Sequence, residues 1–171
     1  MSARADDLAT RLEQINQQVI DMVSGDTDLS VICPGEGWTA AAVGAHIGGA
    51  HRGILEGLIQ PIVAGREVPS AVGPSDEGNA RQAAENAALP RDQILRLLRD
   101  HGAMATAYLR GLSDDDLDRT VTLPFTGENP VTAQQVIKWV LIGHAADHAN
   151  SLRQGFGQTA GHAHDRQDAL A

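Results

Sequence analysis

Residues 131–154 read VTAQQVIKWVLIGHAADHANSLRQ, and this stretch decides the fold. Val136, Ile137, Val140, Leu141, His144, His148 and Leu152 recur three or four apart, the spacing of one face of an α-helix. Thr132 is placed to cap its start. His144 and His148 are four apart, so one helix carries both imidazoles a turn apart on the same face, and that face is the apolar one. Residues 38–58, WTAAAVGAHIGGAHRGILEGL, repeat the pattern. Thr39 suits an N-cap, Trp38 and Val43 have the spacing of a hydrophobic staple, and Val43, Ile47, Ala50, Ile54 and Leu58 keep the helical period. His46 falls inside that stripe, and Pro61 ends or kinks the helix. Gly44, Gly48, Gly49, Gly53 and Gly57 each cost about 1 kcal/mol relative to alanine where exposed, so this helix must draw its stability from close packing.

Two further helices complete the set. Leu8, Leu12, Ile15, Val19 and Val23 predict one from about Ala5 to Ser24, stopped by Gly25. Pro90 suits the first turn of another, with Ile94, Leu97, Leu98, His101, Ala105, Tyr108 and Leu112 as its inward stripe. Residues 26–38 read as an irregular connection, 64–75 as a loop rich in glycine and proline, 76–88 as a short helix and 119–125 as an extended piece. Four amphipathic helices without a convincing sheet predict an all-α four-helix bundle. The link between its second and third helices spans about 30 residues, enough to cross the bundle. The bundle is expected over residues 1–155, followed by a polar, mobile tail at 156–171.

The chain has 171 residues, 42% hydrophobic and 20% charged, which suits one globular domain and argues against disorder. Thirteen Lys and Arg against 22 Asp and Glu give a net charge of −9, which repels a phosphate backbone, so no nucleic-acid partner is expected. Cys33 stands alone, excluding an intramolecular disulfide and a cysteine zinc cluster. No run approaches the roughly 18 apolar residues of a membrane span, and the start, MSARADDLATRLEQ, lacks a signal peptide's apolar stretch. A cytoplasmic protein with no membrane contact is expected. Its expected partners are a small-molecule substrate and, as an open alternative, a second copy of the chain.

The histidines carry the chemistry. His46, His144 and His148 all point into the apolar interior, where an imidazole is costly unless its nitrogens find partners. A shared divalent ion satisfies all three at once. Three protein ligands plus water is the arrangement of catalytic zinc. A single histidine on an apolar face is more often a hydrogen-bonded core residue, and the third inward ring on another helix tips the balance toward metal. His51 lies about 140° round the helix from His46 and reads as solvated or as a surface partner. His101 reads as a fourth ligand, a donor to a ligand, or a buried polar residue, the last two preferred. His162 and His164 fall in the tail.

Other motifs compete less well. GEGWTA before a helix imitates a dinucleotide fingerprint, but no parallel βαβ unit surrounds it. HAADH imitates the inverted metalloprotease pattern with Asp147 in place of glutamate, and Asp147 reads more simply as a surface residue or a partner of a ligand imidazole. Cys33 shows no sign of a lowered pKa, and Lys138 lies off the histidine face. Asn79 and Asn86 lie two turns apart and are candidates to face a substrate. Arg52, Arg81 and Arg153 are candidates for an anionic substrate's carboxylates.

The two histidine stretches in their order, with DEGNARQAAENAALPRDQILRLLRDHGAMATAYLRGLSDDDL between them, resemble the DinB-like superfamily. The branch most similar is the one represented by the amino-terminal domain of mycothiol-dependent maleylpyruvate isomerase. The resemblance covers Trp38 to Gln154. It implies a four-helix bundle with a divalent metal held by three histidines, at positions that map onto His46, His144 and His148. It also implies enzymes that transfer low-molecular-weight thiols such as mycothiol or bacillithiol. The sequence ends soon after the bundle, before a counterpart of the isomerase's second domain, so isomerisation itself is not implied. The leading expectation is a metal-dependent transferase of such a thiol to an electrophile, with zinc as the ion and nickel or iron as alternatives. A hydrolase using metal-bound water and a non-enzymatic metal-binding or ligand-binding stress protein are the alternatives in function.

Overall fold

A computed structural model describes residues 2–68, 76–126 and 129–157. The chain opens with α1 (Ala3–Ser24), capped by the Ser2 hydroxyl, which accepts from the Ala5 amide. Leu8, Leu12, Val19 and Val23 are buried, as their spacing predicts. Asn16, not Ile15, completes the stripe. Its amide tolerates burial because Nδ2 donates to the Leu98 carbonyl at 3.0 Å and Oδ1 accepts from His51 Nε2 at 3.1 Å.

The irregular connection contains a small hairpin, β1 (Ile32–Cys33) against β2 (Trp38–Thr39), antiparallel with Cys33 opposite Trp38. Thr39 then caps α2 (Ala40–Ile54), accepting from the Ala42 amide at 3.2 Å. The helix does not stop at Pro61. It widens into a π-helical turn at Leu55–Ile59 and resumes as α3 (Gln60–Val63). A wider turn just before the proline accommodates the missing amide and the ring's clash with the preceding turn.

The crossover includes α4 (Asp76–Asn86), which packs on α2. Next comes α5 (Arg91–Arg110), with Pro90 as N-cap residue rather than inside the first turn. Arg91 ties this end to the end of α1, donating to the carbonyls of Val23, Gly25 and Thr27. The buried stripe of α5 is Ile94, Leu98, Gly102, Ala105, Thr106 and Leu109, so the expected centre line is rotated. Leu97, His101 and Tyr108 are half-buried on its edge. A short α6 (Asp114–Leu117) follows, started by a capping box between Ser113 and Asp116. The extended piece expected at 119–125 shrinks to β3 (Thr120–Val121), paired antiparallel with β4 (Val131–Thr132), and Pro124–Thr126 form a 3₁₀ turn.

Thr132 and Gln135 form a capping box for α7 (Ala133–Val136), which passes through a π-helical stretch, Ile137–Gly143, into α8 (His144–Gly155). The bundle is therefore all-α in its core. α1 and α2 each pack against α5 and against α8, so the order around the bundle is α1–α5–α2–α8 and the first two long helices face each other across the diagonal. That order needs the long crossover before α5. Gly48 permits a close approach of α2 to α5. A Cβ there would stand 2.8 Å from Leu97 Cβ and 3.0 Å from the Leu98 nitrogen, so α2 and α5 meet nearly backbone to backbone. No described helix is long and apolar enough to cross a membrane. His162, His164 and most of the expected tail lie outside the described residues.

Candidate metal centre

His46 from the middle of α2 meets His144 and His148 from the first turns of α8. One candidate ligand atom from each ring lies within 4.8 Å of the other two. The ring centroids are 4.9 Å apart for His46 and His144, 4.9 Å for His46 and His148, and 4.4 Å for His144 and His148. The π-helical stretch before His144 inserts extra backbone into the helix there, a feature frequent at functional sites. Trp38 flanks the group, edge-on to His46 at 5.3 Å and stacked on His148 at 6.3 Å.

Two of the rings are oriented from outside the trio. His46 Nδ1 lies 2.9 Å from the Gln82 carbonyl oxygen, and His148 Nδ1 lies 2.5 Å from a Glu36 carboxylate oxygen. A carbonyl and a carboxylate only accept, so both Nδ1 atoms carry protons, which leaves Nε2 as the ligating nitrogen of each ring in its neutral form. The other Glu36 oxygen accepts from the Ser151 hydroxyl. His46 Nε2 faces His144 Nε2 at 3.0 Å. Two imidazole nitrogens at that range need a proton or a cation between them. Nitrogens bound to one tetrahedral zinc at about 2.0–2.1 Å would be roughly 3.4 Å apart, close to this spacing. The residues thus fit a divalent ion, with acceptors on the outer nitrogens in the manner that orients metal-binding histidines.

Electrostatics favour the neutral, ligating form of His144 and His46. Burial pushes His144 down to about 3, with repulsion from His148, His46 and His51 adding to it. Burial also lowers His46, with His148 assisting and the Gln82 hydrogen bond and Glu36 opposing. Cys33 is buried and its thiol is pushed up to about 11, by burial first and Glu36 second, so it is a poor nucleophile.

Beside His46 and His144 opens a cleft of about 640 Å³. Gly49, Ala50 and Gly53 of α2 line it with almost no side chain, Ile54, Leu58 and Val140 supply apolar wall, and Asn79 and Gln82 of α4 contribute amides. Phe125 and Trp139, 48% and 56% exposed, also line it, as does Asp147.

The three histidines singled out in the sequence are brought together, and the other candidates divide into those placed as expected and those that need correction. His51 is 1% exposed, not solvated, because its side of α2 faces the bundle core, where its Nε2 donates to Asn16 Oδ1 from α1 across the diagonal. His101 is not part of the trio. Its Nδ1 donates to the Gly48 carbonyl at 2.8 Å, pinning α5 to α2. Asn79 lines the cleft and Asn86 does not. None of the three candidate arginines lines it either: Arg52 pairs with Glu56 at 3.0 Å, Arg153 reaches Asn150 and Gln18, and Arg81 is exposed on α4. Asp147 is exposed on the cleft side, and Lys138 lies on a different groove beside Arg4 and Gln134. Glu36 and Gln82 escape the sequence reading. Glu36 belongs to the GEGW turn, and neither has a local spacing that marks it as a histidine partner.

The profile of the DinB superfamily matches residues 3–152. The chain belongs to this superfamily. Among solved structures, the fold is similar to that of YfiT from Bacillus subtilis, described as a probable metal-dependent hydrolase with an unusual four-helix bundle topology. The TM-score is 0.68 and the identity 21%, over 93% of this chain and 91% of that one. It is also similar to mycothiol-dependent maleylpyruvate isomerase, with a TM-score of 0.65 and 20% identity over 89% of this chain. A histidine-to-alanine variant of that isomerase matches at the same TM-score with 19% identity. The match spans only 63% of the isomerase chain. No curated protein shows a significant sequence match.

Proposed function

We propose that this DinB superfamily member is a metal-dependent enzyme in which His46, His144 and His148 hold a divalent ion and the adjoining cleft receives a small-molecule substrate. The observation that carries this reading is the convergence of three imidazoles, two with Nδ1 already committed to Gln82 and Glu36, at the wall of the cleft. Three nitrogen donors are one short of a tetrahedral set, as in catalytic rather than structural zinc sites. Zinc is the first choice, with nickel and iron compatible with the same donors. Such an ion, when bound, acidifies a thiol or water and so supplies a nucleophile near neutral pH.

The residues of the chain hold and orient. Gln82 and Glu36 fix the tautomers of His46 and His148, Trp38 covers their flank, and the apolar wall at Ile54, Leu58 and Val140 keeps water off the reacting side. The preferred reaction is transfer of a low-molecular-weight thiol of the mycothiol kind to an electrophile. The sole cysteine is buried with its pKa raised, so a sulfur nucleophile has to arrive with a cosubstrate, and a structural neighbour is mycothiol-dependent. Hydrolysis by water is the second reading, favoured by the likeness to YfiT, which extends over 91% of that chain.

The test combines metal and turnover. Protein reconstituted with zinc, nickel, iron or manganese should carry about one ion per chain by elemental analysis. It should then conjugate an epoxide or activated alkene with mycothiol, bacillithiol or glutathione in a metal-dependent manner. A rate that needs metal but no thiol would replace transfer by hydrolysis. Bound metal without turnover across the panel would leave a binding protein, and no bound metal would remove the centre.

A further inference from the structure

The cleft has a charge character that the histidine trio does not explain. Among its described lining residues Asp147 carries the single formal charge, and no lysine or arginine is present. Cations on the elements that line it stay outside the lining: Arg52 is held by Glu56, Lys138 lines a separate groove with Arg4, and Arg81 is exposed on α4. An anionic group entering this cleft would lose water beside Ile54, Leu58 and Val140 without a counter-charge and would meet the Asp147 carboxylate.

The shape adds a second constraint. Gly53 faces open space, since an added Cβ would meet no atom within 4 Å, in contrast to Gly48 five residues earlier, which is pressed against α5. The glycines of α2 thus divide into one set that admits a neighbouring helix and another that leaves room in the cleft. The aromatic rings of Phe125 and Trp139 and the aliphatic side chains of Leu58 and Val140 line the same space.

We propose that the cleft selects molecules without negative charge: a ring-sized apolar body against Leu58, Val140 and Trp139, and a neutral or cationic polar end beside Asp147. The proposal rests on the cleft being the substrate chamber of the metal centre. A bound dication would draw any carboxylate to itself, so the preference of the walls is read on the metal-free protein. Isothermal titration with phenethylamine, phenylacetamide and phenylacetate compares one body with three charges. The amine should bind about tenfold tighter than phenylacetate, the size of one partly screened charge contact, with the amide between them. Asp147→Asn should bring the amine down to the amide. Gly53→Phe, on a helix with room for the side chain, should abolish binding of all three.

Phenylacetate binding as tightly as the amide would overturn the proposal. So would an amine advantage that survives Asp147→Asn, unaltered binding in Gly53→Phe, or no saturable binding of any probe. Elemental analysis of the same preparations after zinc loading separates the two readings. The charge preference without zinc uptake would remove the metal centre alone, and zinc uptake with a reversed preference would remove the cleft assignment alone.

Discussion

His46 and His51 stand five residues apart on α2, both less than a tenth exposed, and use their rings in opposite ways. His51 donates from Nε2 to Asn16, and Asn16 passes the chain on to the Leu98 carbonyl. The network closes within the core, and Gly102 is shaped to admit it, since a Cβ there would stand 2.3 Å from Asn16 Nδ2. His46 is also held at Nδ1, but its second nitrogen meets another imidazole, which cannot satisfy it without a proton or a cation. Burial on an apolar face is common to both. What separates a structural histidine from a candidate ligand is the group facing its remaining nitrogen.

The sharpest way to break this comparison is to remove one ring from each set and measure zinc. His144→Ala deletes one of three proposed donors and should weaken zinc binding by about a thousandfold or more, read by competition with a chromophoric chelator. His51→Ala should leave the affinity within about threefold, because the site's geometry does not pass through it. Equal losses in the two variants would mean that zinc uptake reports the integrity of the core and not ligation.

Stability should reverse the ranking. His51→Ala leaves a cavity and an unpaired Asn16 oxygen at a site 1% exposed, and should cost about 3–4 kcal/mol in urea unfolding of the metal-free protein. His144→Ala in the same metal-free state should cost about 1 kcal/mol, since a half-buried ring crowded by two others loses little on removal. A larger loss in His144→Ala would assign that ring a packing role.

The contrast also marks what local spacing can reveal. The four apolar stripes are periodic over many turns, so the helices and the inward placement of His46, His144 and His148 follow from counting. His51 does not, because counting presumes one buried face. α2 is packed by α5, α8 and α4, and from Ala40 to Gly48 every residue is buried, so 140° of rotation does not carry a side chain out to water. Both π-helical segments, Leu55–Ile59 and Ile137–Gly143, shift the phase without a residue signature beyond Pro61. Glu36 and Gln82 reach their histidines across 112 and 36 residues of sequence, and only the folded topology joins them. The helices of the site were readable, and its outer partners were not.

Acid should sharpen the difference between the two rings further. His51 is held down to about 4 by burial, with His101 second, whereas an unfolded histidine titrates near 6.5. The unfolded chain therefore binds more protons between these values, and stability falls as pH drops from about 6.5 through 4. Two and a half units correspond to about 3 kcal/mol of loss from this group. His46 and His144 are lowered as well and contribute in the same window. The difference between wild type and His51→Gln, both metal-free, isolates the His51 part: the wild type should lose about 3 kcal/mol more across the window. Parallel curves would show that the His51 ring is not kept neutral by the core.

The smallest expected effect tests what holds the candidate ligands rather than the ligands themselves. Gly37, with φ of +71°, turns the chain between β1 and β2 in the left-handed region and completes the turn that carries Glu36 against α8. There one carboxylate oxygen accepts a hydrogen bond from His148 Nδ1 and the other accepts from the Ser151 hydroxyl. Gln82 performs the first of these tasks for His46 with a neutral amide. A carboxylate raises the basicity of the imidazole it receives from, and an amide carbonyl does so less. Glu36→Gln should therefore weaken zinc binding by about tenfold, at the low end of what outer partners of metal-binding histidines contribute, and Gln82→Ala by about threefold. Glu36→Asp shortens the reach but keeps the charge, so restoration of part of the affinity in that variant would show that charge on His148 matters beyond ring placement. Equal effects of Glu36→Gln and Glu36→Asp would mean that Glu36 acts only as a spacer between the turn and α8.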